Sequence, residues 1–139
     1  GKLVIGNKFK AGKVYRVVLN IRTEADRHDV VVDDPLPAGF EALNPRLARS
    51  TLDANVRGET GSTRPMYSYR WWYGFNRVAM KDDRVFVFAN TLKRGSYRYT
   101  YFIKATTYGN FVMYPSKIEE MYYPEVFGTT SMKRIRIIR

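Results

Sequence analysis

The chain has no cysteine among its 139 residues. Disulfides, thiolate metal centres and thiol nucleophiles are therefore excluded from it. That absence fits a reducing compartment and equally a periplasmic domain that folds without cross-links. Histidine is almost missing too, with His28 alone in Asp-Arg-His-Asp-Val. A hydroxyl nucleophile needs a base held by a third group, and the base is most often His. A lone His among charges at a strand start reads instead as an exposed strand-end residue. No apolar run is long enough to cross a bilayer as a helix. No leader-type segment opens the chain, which begins Gly-Lys-Leu-Val without Met and so reads as a piece of a longer protein. No Gly-rich phosphate loop occurs.

Carboxylates are scarce beside bases. Asp and Glu number 13 against 24 Lys and Arg, a formal net charge of +11. Several acids come as adjacent pairs: Asp33-Asp34, Asp82-Asp83, Glu119-Glu120. Neighbours on a strand point to opposite faces, so such a pair makes no shared acid–base site. They read as turn formers and solvated charge. Hard oxygens gather at Asp26, Asp29, Asp33 and Asp34, yet without the dense Asp/Asn/Gly loop that holds calcium. An enzyme is thus the least supported class, and no metal or cofactor is expected. The excess of base invites a polyanion. The cations are spread along the chain, however, with density only in the last seven residues, and read as the polar half of strand alternation.

What the chain does have is aromatic residues, 15% of the total with eleven tyrosines, which favours strands. Tyr15, Val17, Leu19 and Ile21 sit two apart, the signature of a strand with one face toward a core. Val30 to Val32 form a second strand, and Pro35, Pro37 and Gly39 then stop the sheet. Leu3–Ile5 is a short first strand or a lead-in. Met66 to Phe75 is a strand rich in rings, including Trp71 and Trp72. Arg84 to Ala89 is a strand apolar on both faces, with Val85 and Val87 on one and Phe86 and Phe88 on the other. Lys93-Arg94-Gly95 reads as a hairpin turn. Tyr97, Tyr99, Tyr101, Ile103 and Ala105 share one face of the next strand. Phe111 to Met121 returns, interrupted at Pro115 by a bulge. Lys133 to Ile138 is the last strand. The pattern predicts one all-β domain over 1–139, an antiparallel β-sandwich of seven to eight strands. In Arg46 to Pro65 the first half has room for one or two helical turns and the second half is a flexible polar loop, either functional or simply mobile. Met121 to Gly128 is a loop with two adjacent tyrosines beside Pro124. Two such rings do not both enter one core, so this loop either offers a phenol to a partner or is a turn anchored by one of them.

Two stretches carry a family likeness. Asp26 to Pro45 (D-R-H-D-V-V-V-D-D-P-L-P-A-G-F-E-A-L-N-P) and Ala105 to Gly128 (A-T-T-Y-G-N-F-V-M-Y-P-S-K-I-E-E-M-Y-Y-P-E-V-F-G) resemble the C-terminal macroglobulin domain of bacterial alpha-2-macroglobulins. Asp82-Asp83-Arg84-Val85 and Gly95-Ser96-Tyr97-Arg98-Tyr99 resemble it too, in the family's order. The resemblance implies a macroglobulin fold of the immunoglobulin or fibronectin III kind. It also implies a large periplasmic or cell-envelope protease inhibitor, anchored at its own N-terminus, that traps the protease cutting it. The domain's implied role is non-catalytic: it covers the thioester domain and shields that bond before activation. On this likeness Tyr122 is the shielding residue and Tyr123 the second, with Met121 and Glu125 supporting the loop. The implied partners are the thioester domain of the same polypeptide and, through the whole molecule, target proteases, with neither nucleic acid nor direct membrane contact. The likeness explains neither the basic tail nor 46–65. Two other functions follow from composition: a polyanion or nucleic-acid binder using the charge, and a carbohydrate-binding sandwich using Trp71 and Trp72.

Overall fold

The computed structural model describes residues 7–43, 61–63, 75 and 77–139. Its strands are β1 (Lys8–Lys10), β2 (Val14–Thr23), β3 (Arg27–Pro35), β4 (Phe40–Leu43), β5 (Gly61–Thr63), β6 (Arg77–Met80), β7 (Arg84–Leu92), β8 (Gly95–Ala105), β9 (Gly109–Met113), β10 (Lys117–Glu120), β11 (Tyr123–Thr129) and β12 (Lys133–Ile138). The described residues contain no helix. Expectations for Leu3–Ile5, for most of 46–65 and for the ring-rich run before Phe75, Trp71 and Trp72 included, lie outside the described residues.

Alternation does most of the building. In β2 Val17 and Leu19 are buried while Arg16, Asn20 and Arg22 are exposed. In β8 the expected face of Tyr97, Tyr99, Tyr101, Ile103 and Ala105 is buried, and Tyr101 is wholly so. These two strands pair antiparallel from Val14 opposite Lys104 to Thr23 opposite Gly95. β4 and β5 lie on the other side of β8. A second sheet runs β11-β10-β3-β7-β6, and a third runs β1-β12-β9, with β1 parallel to β12. All three sheets supply one core, including Val30 and Val32 of β3, Val85 and Val87 of β7, and Ile135 and Ile137 of β12. The result is the expected all-β sandwich. The rings of Phe86 and Phe88 on the outer face of β7 are half-buried, under the guanidinium groups of Arg84 and Arg77.

The strands are more numerous and shorter than seven or eight because the chain changes sheets where the sequence shows only a turn or bulge. β2 and β3 belong to different sheets, so the opening pair forms a corner and not a hairpin. Lys93-Arg94-Gly95 is also a crossing, since β7 and β8 do not pair. Gly95 takes φ 147° there, open to glycine and costly for other residues. Asp26, in the β2–β3 corner, ties the two crossings together. Its carboxylate accepts the Arg94 N–H at 2.9 Å and the Lys93 ammonium at 3.2 Å. Those bonds, the Arg94 N–H first, hold its pKa below the ordinary value. At Pro115 the chain is not bulged but handed from the β1-β12-β9 sheet to the β3 sheet.

Two of the acid pairs are not turn formers. Glu119-Glu120 lies in β10, and the Asp33-Asp34 pair is no turn either. Both lie in β3, and Asp34 is fully buried, on the same face as Val30 and Val32. Its carboxylate accepts the hydroxyls of Tyr101 and Ser116, which joins β3, β8 and the Pro115 crossing through one group. Burial, with the Asp34 charge second, raises the Tyr101 phenol well above its ordinary pKa. Gly39, buried after Pro37, marks a close approach: a Cβ there would stand 2.5 Å from Ile137 Cδ1 and 2.8 Å from the Thr107 carbonyl. Its carbonyl accepts the Thr106 N–H at 2.8 Å.

Candidate functional site

The residues singled out as a contact surface come together at one end of the β3 sheet. Met121 and Tyr122 form a tight turn, and the stretch read as a loop is largely strand, β11, at the sheet edge. β10 and β11 thus make a hairpin, with β10 laid against β3 from Lys117 opposite Asp33 to Glu120 opposite Val30. Pairing within the hairpin jumps from Glu119 opposite Phe127 to Glu120 opposite Tyr123. Pro124, Glu125 and Val126 are left without β10 partners in that jump. A Pro cannot donate to the ladder, so this is where an edge strand tolerates one.

The turn is held from behind by β3. The Met121 N–H donates to the Asp29 carbonyl at 2.8 Å, and the His28 N–H reaches Glu120 Oε1 at 3.3 Å. Asp29 presents its carbonyl from φ 52°, a left-handed conformation that Asp accepts more readily than most residues. His28 itself is exposed, its Nδ1 3.5 Å from the Thr91 hydroxyl.

The hairpin carries its large side chains outward. Tyr122 is 74% exposed, Tyr123 61%, Met121 42% and Phe127 62%. Glu125 is exposed as well. Scattered exposed apolar residues are ordinary, but four on one turn and one edge strand form a patch. Phe127 was not among the expected site residues. The Met-Tyr-Tyr-Pro motif drew attention to the turn, whereas the neighbouring Phe reads as a core ring until β11 is seen to be an edge. The ammonium of Lys117 lies 5.5 Å from the Phe127 ring centre and bonds Glu119 at 3.1 Å. Beside the hairpin runs an open groove of about 350 Å³, floored by Ile21, Val30, Leu92 and Ile118 and rimmed by Arg22 and Glu120. It has an apolar floor and mixed charge at its lip, with no convergent acid, base and nucleophile. Among the described residues no cluster of His, Asp and Glu could hold a metal ion. What this arrangement can do chemically is press rings and phenol hydroxyls against a surface and keep water from it.

Fold and rim together define a β-sandwich with exposed rings along one hairpin. The family model described as Bacterial Alpha-2-macroglobulin MG10 domain matches residues 1–125. The chain belongs to that family. The curated protein Circularly permutated Ras protein 2 of Dictyostelium discoideum is 32% identical over 130 residues, 94% of this chain and 3% of that protein. The Alpha-2-macroglobulin homolog of a Nostoc species is 27% identical over 124 residues, 89% of this chain and 6% of that one. Among solved structures, native Escherichia coli alpha-2-macroglobulin from domain MG7 to the C-terminus superposes with a TM-score of 0.75 at 19% identity, covering 97% of this chain and 21% of that one. Salmonella alpha-2-macroglobulin reacted with methylamine gives a TM-score of 0.71 at 22% identity, covering 94% and 8%. The chain therefore spans a small fraction of the proteins it matches.

Proposed function

We propose that this domain is a non-catalytic shield within an alpha-2-macroglobulin-like protease trap of the cell envelope. In this reading residues 1–139 are one domain of a longer polypeptide. The β10–β11 hairpin sits against a neighbouring domain and covers a thioester until a protease cleaves the molecule. Target proteases meet the whole molecule, and the domain itself supplies only the cover.

The observation that carries the proposal is the tip of the hairpin. Tyr122 stands almost fully out of the surface while the backbone just behind it is tied to β3, so a rigid base presents a ring with little left to order on contact. A thioester survives where water and amines are kept from its carbonyl carbon, and a phenol brings a large apolar ring to that task with one hydroxyl to face solvent. Tyr123 flanks it, Met121 fills uneven space with a flexible thioether, and Glu125 supplies a polar rim. A protein that reacts with methylamine, as the Salmonella relative does, holds an electrophile, which is the group such a cover would protect. A contact that must release on activation should be modest in area and partly polar, as this rim is.

The test is made in the full-length parent. Tyr122→Ala removes the covering ring. Methylamine consumption before protease cleavage should rise by about tenfold or more, the worth of roughly 1.5–3 kcal/mol of apolar cover. An unchanged rate would remove Tyr122 from the role.

A further inference from the structure

The basic residues look scattered in sequence, but the fold gathers some of them. β1 comes from the start of the chain and β12 from its last residues, and they pair parallel with Lys8 opposite Arg136 and Lys10 opposite Ile138. On the other side of β12, Arg134 stands opposite Val112 and Arg136 opposite Asn110 of β9. Phe9, Ile135 and Ile137 point the other way, into the core. One face of this sheet therefore carries Lys8, Lys10, Arg134 and Arg136, all exposed. Spacing along a strand places successive members of each pair about 7 Å apart, and neighbouring strands lie about 5 Å apart.

Some cations elsewhere in the described residues sit beside acids, as Arg84 with Asp33, Lys93 with Asp26 and Lys117 with Glu119, while others such as Lys81 and Arg98 stand singly. This face gathers four without an acid among them. The strands β1, β9 and β12 contain no Asp or Glu, and neither do residues 7–13, 107–116 and 129–139 around them. Among the described residues none of the four cations forms an ion pair with a carboxylate. Like charges directly across a ladder, as Lys8 and Arg136 are, oppose the folded state. A partner with negative charge relieves that repulsion.

We infer that this sheet face, built on Lys8, Lys10, Arg134 and Arg136, rests on an anionic lipid surface. The layout of its charges favours that partner. The cations are spread over a sheet face, not along a groove of the kind that tracks a single nucleic-acid strand. The Tyr108 hydroxyl nearby already accepts from Arg139 at 2.6 Å. Ile138, 40% exposed, adds an apolar side chain among the cations. Attraction to a charged membrane plane needs number and proximity of cations more than shape. This revises the expectation of no direct membrane contact, and it uses residues separate from the hairpin rim.

The experiment is sedimentation of the 139-residue chain with vesicles of phosphatidylglycerol and phosphatidylcholine in equal amounts, against vesicles of phosphatidylcholine alone. The patch variant carries Lys8→Glu and Arg134→Glu, which leave Arg136 with an opposite charge across the ladder. A matched variant, Lys81→Glu with Arg94→Glu, makes the same change in net charge on exposed residues away from the face. Thermal melts of all three verify folding. At about fivefold per cation, partitioning of the patch variant onto anionic vesicles should fall at least about twentyfold. The matched variant should stay much nearer the parent chain. Equal losses in both variants, no preference for the anionic vesicles at low salt, or tighter retention by a single-stranded oligonucleotide than by vesicles would each overturn the inference.

Discussion

Asp34 shows how one side chain can hold a fold together. A buried carboxylate is costly unless hydrogen bonds replace its water, and Tyr101 and Ser116 supply them from two other parts of the chain. Asp34→Ala leaves both hydroxyls buried without an acceptor. It should lower the unfolding free energy by about 3 kcal/mol, read as an earlier urea midpoint at unchanged slope. Asp26 works differently, in the open, by clamping two crossings. Its folded-state pKa is depressed, so its contribution is present above the unfolded carboxylate value and is lost as pH falls through the folded one. Asp26→Asn should therefore lower the melting temperature at neutral pH, and the gap from the parent should close as pH drops below about 4. The residue scale was only partly legible. Reading Asp33-Asp34 as a turn pair overlooked that Val30, Val32 and Asp34 share one parity, which on a strand means one face. The signal was in the sequence and lost to the composition rule that adjacent aspartates mark turns. That the Tyr122-Tyr123 pair keeps a ring outside was legible, because two rings beside a Pro do not both enter one core, and both are exposed.

Strands with strict alternation were legible as elements. β2, β7, β8 and β12 appear where period two placed them with their inward faces buried, although Thr100 and Phe102 on the other face of β8 are buried too, Phe102 against Val14 and Leu43. Partnership between strands was not legible. Alternation gives the face a side chain takes, while pairing depends on turn geometry and on which edges remain free. Hence Lys93-Arg94-Gly95 and Pro115 looked like features within one sheet, and each proves to be a passage between sheets. The hairpin was half legible. Its turn residues were found, but β11 was hidden because Pro124 and Gly128 signal a loop, and an edge strand with an unpaired stretch at 124–126 accommodates both. Phe127 went unnoticed for the same reason.

At the scale of the molecule, the sheets leave two surfaces with different chemistry. One is the tyrosine-bearing hairpin at the end of the β3 sheet. The other is the cationic face of β1 and β12, which brings residues near position 8 beside residues near position 136 and so could not be read from a linear charge count. A shield with its own membrane-facing side would be oriented as well as attached, the rim turned toward its neighbour while the basic face meets lipid. The family match places the domain in its lineage.

The central claim, that the hairpin tip is covered in the resting molecule and uncovered on activation, is tested most directly by amide hydrogen exchange in the full-length parent before and after protease cleavage. The account predicts that peptides spanning Met121 to Tyr123 exchange slowly in the intact protein and markedly faster once it is cut, while β8 peptides stay protected throughout. Equal exchange of the hairpin peptides in the two states would contradict it.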